Sequence, residues 1–303
     1  MQNKLVAWIT IARLPFHLVG ILPFMLGTVL AWKINDSFQI ATFVIGLTAV
    51  VLTMLSTYLA GEYWDIEEDS ISQKIGSTPF SGGTGVLQSG LIDKMNVLKA
   101  SQVTILIAGA LFLSIHIFFP SRPLILILGL LGITGGFFYS TPPIRWVKRG
   151  VGELWIAFCY GWLTIATGYY LQVGSIPMLL SWIAAPIALT IFNVILLNEF
   201  PDHHADSEAG KTNILVRLGM EKGSILYVVI SVIGWFTVLY STSRVTPQET
   251  WFVYFPVFIA SAYLVTEMIK KKWRNRENIT RLCAANLLVN LGTTVCFILV
   301  YMG

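Results

Sequence analysis

The sequence predicts an all-α integral membrane protein, and three observations carry that prediction. Of the 303 residues 55% are apolar and only 12% charged, about half the charge of a soluble domain, and mean hydropathy is +0.71. The apolar residues come in runs near the 20 or so that cross about 30 Å of hydrocarbon. Lysine and arginine gather on alternate loops, so the net charge of +4 reads as a topology signal. No nucleic-acid partner is expected from it.

Nine spans can be drawn, at roughly 14–32, 38–61, 97–119, 122–140, 151–172, 176–198, 223–241, 250–269 and 280–301. The polar start, Met1 to Lys4, leads into the first of them without a small-residue cleavage site, so no cleaved signal peptide is expected. If the N-terminus and every second loop share one side, 17 of the 20 basic residues fall there, and Lys33, Arg122 and Arg244 fall opposite. That bias places the N-terminus and the longer loops in the cytoplasm, with the C-terminus outside. The expected unit is one transmembrane domain over 1–303, with possible four-helix repeats at about 14–140 and 151–269 and a ninth helix at 280–301. Cys159, Cys283 and Cys296 all lie inside apolar runs and read as small core residues.

Against this apolar background the acids stand out. Asn198-Glu-Phe-Pro-Asp202-His-His-Ala-Asp206 follows a long apolar run, and its residues 198, 202 and 206 share one helix face. A carboxylate at the bilayer centre costs roughly 2.5–3.5 kcal/mol, and less near the interface, so acids grouped at a helix mouth call for a cation. Asp65 and Asp69 repeat the spacing after the second span. Two such pairs on one face can hold a divalent metal between them. Mg²⁺ suits them, because it takes hard oxygens, keeps several waters and is completed by substrate phosphates.

The cations nearby offer two readings each. Arg145, Lys148 and Arg149 close the loop Tyr139-Ser-Thr-Pro-Pro-Ile-Arg-Trp-Val-Lys-Arg-Gly150, whose prolines stop the fourth span. They either grip a diphosphate or simply anchor topology. Arg13 is an interfacial anchor or a substrate cation, and Lys211 lies beside the second acidic pair. Ser81-Gly-Gly-Thr-Gly85 is a phosphate-approaching loop or a turn. His203 and His204 read better as solvated loop residues than as bases.

At these residues the chain resembles the UbiA superfamily of intramembrane prenyltransferases. The likeness covers the nine spans, both aspartate motifs, and the Tyr-Ser-x-Pro-Pro loop running into Lys148-Arg-Gly-x-Gly-Glu153. Asn198, Asp202 and Asp206 fall on the family's Asn and two Asp positions. Gly210-Lys211-Thr, Val216-Arg-Leu-Gly219 and Pro79-Phe-Ser-Gly-Gly-Thr-Gly-Val-Leu87 look like the branch that prenylates 1,4-dihydroxy-2-naphthoate in menaquinone synthesis. The first motif departs: Gly61-Glu62 stands where the family commonly has Asn-Asp, so that site leans on Glu62 or on fewer side-chain ligands.

The resemblance implies a helical bundle around a central cavity, embedded in the cell membrane with its active site toward the cytoplasm. It implies two Mg²⁺ ions held by Asp65, Asp69, Asp202 and Asp206, with Glu62 as a further candidate, and those four aspartates as the catalytic set. Diphosphate contacts would come from Lys148, Arg149, Lys211, Asn198, Arg13 and Tyr139. The partners are then a polyprenyl diphosphate, an aromatic acceptor and membrane lipid. Other acceptors of the same class are 4-hydroxybenzoate, homogentisate, haem or a glycerol-phosphate lipid precursor. An ion-coupled transporter is the rival class, but it would place acids near the midplane and in broken helices, whereas here they cluster at one face.

Overall fold

The computed structural model describes residues 4–76 and 78–303; of the predicted polar start, Met1 to Asn3 lie outside the described residues. Helices occupy every range read as a span. They are α1 (Lys4–Ile11), α2 (Leu18–Asn35), α3 (Ile40–Trp64), α4 (Ile66–Ile75), α5 (Lys94–Phe118), α6 (Ile125–Phe137), α7 (Gly152–Ala157), α8 (Thr164–Val173), α9 (Leu179–Glu208), α10 (Ile214–Arg244), α11 (Thr250–Ile269) and α12 (Arg276–Met302). Among the described residues seven stretches are long and apolar enough to cross a membrane: 4–35, 40–64, 94–118, 179–208, 214–244, 250–269 and 276–302. The other two predicted spans depart from that form. α6 has 13 residues, about 20 Å of helix. The 151–172 span is interrupted by a π-turn at Phe158–Leu163 between α7 and α8.

Local sequence explains the breaks. Arg13, at φ 49°, separates α1 from a short 3₁₀ turn with Pro15 in its first turn, and α2 follows. α6 ends just before the Pro142-Pro143 pair. α9 runs past the predicted end at 198 to Glu208, carrying Pro186 and Pro201 inside it. Both aspartates of the second motif therefore ride on a continuous helix.

α2 and α8 cross at the centre. A Cβ on Gly27 would lie 2.0 Å from the Ile165 carbonyl oxygen, and one on Gly168 2.2 Å from that of Phe24. Backbone meets backbone here, and only glycine permits it. α9, α10 and α12 are stitched by buried polar groups: Asn193 Nδ2 donates to Ser231 Oγ (2.9 Å), and the Tyr227 hydroxyl to Asn286 Oδ1 (2.9 Å). The three cysteines are buried and unpaired, as the sequence predicts. Large apolar side chains such as Phe118, Leu106 and Phe252 are exposed around the bundle, as a lipid-facing surface requires.

The basic loops meet at one end of the bundle. Arg145 Nη2 donates to the Trp64 carbonyl, Thr212 Oγ1 to that of Lys148, and Arg217 Nη2 to that of Arg149. The loops that are poor in Lys and Arg meet at the other end, where Ser37 Oγ and Arg122 Nη2 both donate to the Gln172 carbonyl.

Candidate active site

α4 packs across the cytoplasm-predicted end of α9, and this brings the two aspartate motifs to the walls of one open cavity of about 250 Å³. Asp65, Asp69, Asp202, Asp206, Glu62, Lys211, Asn198, Arg13 and Tyr139 all line it, so nine of the eleven sequence-predicted site residues converge. The other two do not. Lys148 Nζ sits on Glu68 Oε1 at 2.7 Å. Arg149 folds back to donate to the Pro143 and Ile144 carbonyls of its own loop.

Each aspartate has a different setting. Asp65 lies where α3 hands over to α4 (φ −101°, ψ 15°). Its Oδ1 accepts from Arg145 Nη2 (3.0 Å) and its Oδ2 from Ser140 Oγ (2.5 Å). Burial pushes its carboxyl up nonetheless, against the pull of Lys211, Ser140 and Arg145. Asp69 has no hydrogen-bond or ion-pair partner for its carboxylate among the described residues. Burial, then the charges of Asp65 and Glu62, push it up to about 8. Gly83 (φ +64°) presses on it so closely that a Cβ there would lie 2.2 Å from Asp69 Oδ2. The glycine is thus required both for the turn and for the approach.

On α9, Asp202 accepts from Ser72 Oγ (2.8 Å) and from the Gly82 backbone N–H (2.9 Å). Asp206 is held by Lys211 Nζ (2.9 Å) and Asn213 Nδ2 (2.9 Å). Lys211 and Asp206 are 9% and 7% exposed. Burial alone would lower the lysine, but Asp65 and Asp206 outweigh it and hold Lys211 charged. Removing one partner of such a buried pair costs roughly 3–5 kcal/mol. Glu62 is fully engaged, by Arg13 Nη2 (3.0 Å) and by the Thr84 hydroxyl (2.7 Å) and N–H. It ties the 81–85 loop to α3. Burial raises Glu68, but its Lys148 contact outweighs that and leaves it lowered.

Among the described residues no three His, Cys or acidic side chains form a ready-made metal cage. The aspartates stand on facing walls instead. That spacing fits Mg²⁺ with its waters and a bridging phosphate better than an all-protein cage. The carboxylate of Asp69, half-buried at the cavity wall without a donor, is the observation that asks for a cation.

Ser72, Ser140, Asn213, Tyr58 and Tyr160 were not singled out by spacing. Serine and asparagine in apolar sequence carry no periodic signal, and Asn213 becomes visible only because it caps α10 through Val216 N–H while holding Asp206. The two tyrosines read as span residues; in the fold their hydroxyls lie within hydrogen-bonding reach at the cavity wall. Deeper still, a narrow apolar chamber of about 50 Å³ shares Thr57, Ile156 and Tyr160 with the cavity and adds Met54, Phe112, Leu128 and Leu163.

A helical bundle with two aspartate motifs lining a cavity that is apolar and aromatic below them defines an intramembrane protein with an aspartate-lined site. Residues 20–291 match the family model described as UbiA prenyltransferase family, and the chain belongs to that family as a multi-pass integral membrane protein. The 1,4-dihydroxy-2-naphthoate octaprenyltransferase of Bacillus subtilis (strain 168) is 24% identical over 204 residues, 67% of this chain and 62% of the relative. The Escherichia coli (strain K12) protein of the same name is 27% identical over 221 residues, 70% of this chain and 68% of the relative. The chain thus spans less than two thirds of the Bacillus protein's length. A structure of a UbiA homolog from Archaeoglobus fulgidus bound to GPP and Mg²⁺ shares the fold, with TM-score 0.62, 16% identity and coverage of 96% of this chain and 99% of that one.

Proposed function

We propose that this chain transfers a polyprenyl group from an allylic diphosphate to an aromatic acceptor, with 1,4-dihydroxy-2-naphthoate as that acceptor. One observation carries the reading: two aspartate pairs face each other across a cavity whose opposite end is apolar and aromatic. The relatives' names supply the acceptor and the liganded homolog supplies the class of donor.

Mg²⁺, held by Asp65, Asp69, Asp202 and Asp206, supplies charge neutralisation for a departing diphosphate. The rest falls to the chain itself. Lys211, charged and buried between the motifs, adds a fixed positive charge where the diphosphate's negative charge grows. Arg13, held on Glu62 at the rim, adds a second. Asn198 and Tyr139 offer neutral hydrogen bonds. Tyr58, Tyr160 and Phe80 line the walls with π faces that suit an allylic cation, and the apolar chamber beyond Tyr160 suits an isoprenoid tail. Closure of the walls against water protects that cation from capture. Lys148 and Arg149 keep a supporting role, through Glu68 and the Pro142-Pro143 loop. The reading also places the nine spans with the N-terminus and the active site toward the cytoplasm, in one domain over 1–303.

The test uses the full chain in nanodiscs with Mg²⁺, geranylgeranyl diphosphate and 1,4-dihydroxy-2-naphthoate. Magnesium-dependent prenylated product is expected. Diphosphate release without product would reject that acceptor, and folded protein that neither binds nor cleaves the diphosphate would reject the reaction.

A further inference from the structure

One pair of acids is left over once the diphosphate end is accounted for. Glu199, on α9, lines the cavity, and Glu153, in the first turn of α7, is 1% exposed. The two side chains lie within hydrogen-bonding reach of one another. Oε2 of Glu153 and Oε2 of Glu199 are both buried, and neither has a partner among the described residues. Glu153 is held from behind, its Oε1 accepting the Ile214 backbone N–H at 2.5 Å at the start of α10. An ionised carboxylate only accepts hydrogen bonds, and a buried acceptor without a donor is costly. A single proton between the two acids satisfies both orphan oxygens, and the pair then carries one negative charge with room for one more proton.

The position of Glu199 gives that capacity a use. α9 presents Asp206, Asp202, Glu199, Ile195 and Ile191 to the cavity in steps of three or four residues. Glu199 therefore lies about 4.5 Å of helix rise deeper than Asp202, between the aspartate layer and the apolar wall. A diphosphate seated among the aspartates puts its C1 carbon at this level, and a ring attacking C1 must lie there too. The charged and titratable groups facing Glu199 are Glu153, Tyr139, Asp206 and Lys211. Of these Asp206 and Lys211 are engaged with each other, and Tyr139, a phenol, keeps its proton at neutral pH and offers no base, which leaves the glutamate pair as the available acid–base group.

Resting on the prenyl-transfer reading above, the geometry points to Glu199, backed by Glu153, as the group that takes the proton from the acceptor's ring hydroxyl. The C1–O bond of the diphosphate breaks and its electron pair leaves with the diphosphate. The ring's π electrons form the new bond to C1, the O–H pair becomes the π bond of a ring C=O, and the proton goes to Glu199. The neutral ketone so formed regains aromaticity by enolisation.

The experiment compares wild type, Glu199→Gln and Glu199→Asp in nanodiscs with Mg²⁺, geranylgeranyl diphosphate and 1,4-dihydroxy-2-naphthoate. Glu199→Gln is expected to lower turnover roughly 100-fold or more at neutral pH, with Mg²⁺-dependent diphosphate binding unchanged. The penalty shrinks as the pH is raised to where the acceptor's hydroxyl ionises unaided. Glu199→Asp, which keeps a carboxylate, falls between the two. Wild-type turnover in Glu199→Gln, a penalty that does not change with pH, a parallel loss of diphosphate binding, or Glu199→Asp no faster than Glu199→Gln would each overturn the assignment. Absence of product from wild type itself would instead overturn the transfer reading beneath it, and that outcome shows without any variant.

Discussion

The two aspartate pairs share a four-residue spacing and little else. Asp65 and Asp69 straddle a break between two helices, and Asp69 is left without a donor. Asp202 and Asp206 ride on unbroken α9, and both are saturated: by Ser72 and Gly82 in one case, by Lys211 and Asn213 in the other. The second pair is therefore also joinery, fastening α9 to α4, to the glycine loop and to the start of α10. In the first pair Asp65 is held by Ser140 and Arg145, and Asp69 is the open position of the site. Identical spacing has been put to two uses, and the difference lies wholly in what each carboxylate touches.

That contrast can be broken most directly by one pair of substitutions. Asp69→Asn and Asp202→Asn should each cut turnover roughly 100- to 1000-fold, the range for losing one preorganised electrostatic group. Their stabilities should part company. Asp202→Asn weakens charge-assisted hydrogen bonds and should cost about 1.5–3 kcal/mol, whereas Asp69→Asn removes a half-buried acid that accepts no hydrogen bond and should cost none. Thermal unfolding without metal checks this, and equal shifts would erase the distinction.

A smaller effect follows from pH. With its carboxyl pushed up to about 8, metal-free Asp69 holds its proton below that pH, and a divalent cation must displace it. Mg²⁺ affinity should then fall about tenfold per pH unit below 8 and level off above it. In Asp69→Asn that slope should disappear. Titration calorimetry at several pH values measures it, and a flat wild-type profile would remove Asp69 from the site.

The smallest expected effect sharpens the contrast at Gly61. A Cβ there meets only Ser140 Oγ at 3.7 Å and Asp65 Oδ2 at 3.9 Å, which is ordinary contact. Gly61→Asn should favour the helix by about 0.3 kcal/mol and tighten Mg²⁺ by less than about tenfold. Weaker binding would mean that the first motif works best left open.

Apolar run length and charge pattern made the helices and the aspartate walls legible, because both depend on composition along a single segment. The extension of α9 to Glu208 was legible only in part: the spacing of 198, 202 and 206 asks for a shared helix face, but Pro201 and the seven polar residues of 199–208 end the apolar run and read as a loop until α4 packs over them. The loop cations divide for a similar reason. Spacing places Arg145, Lys148 and Arg149 together, but only the turn geometry sends Arg145 to Asp65, Lys148 to Glu68 and Arg149 back onto its own loop. The Glu153–Glu199 contact joins residues 46 positions apart, beyond the reach of any local pattern.

The π-turn at Phe158–Leu163 has a genetic consequence. It stores one residue of slack between α7, which carries Glu153, and α8, which carries the glycine crossing with α2. Losing a single codon there would let the turn close as ordinary helix with the segments on either side still in phase, whereas losing one from the regular first turn of α8 would rotate everything after it by about 100°. Gly168 would swing off the Phe24 carbonyl, and the Tyr170 hydroxyl would lose the Leu124 N–H it now accepts. A deletion that the π-turn absorbs is therefore disruptive one turn later, and this single turn is the place in the span where chain length has slack.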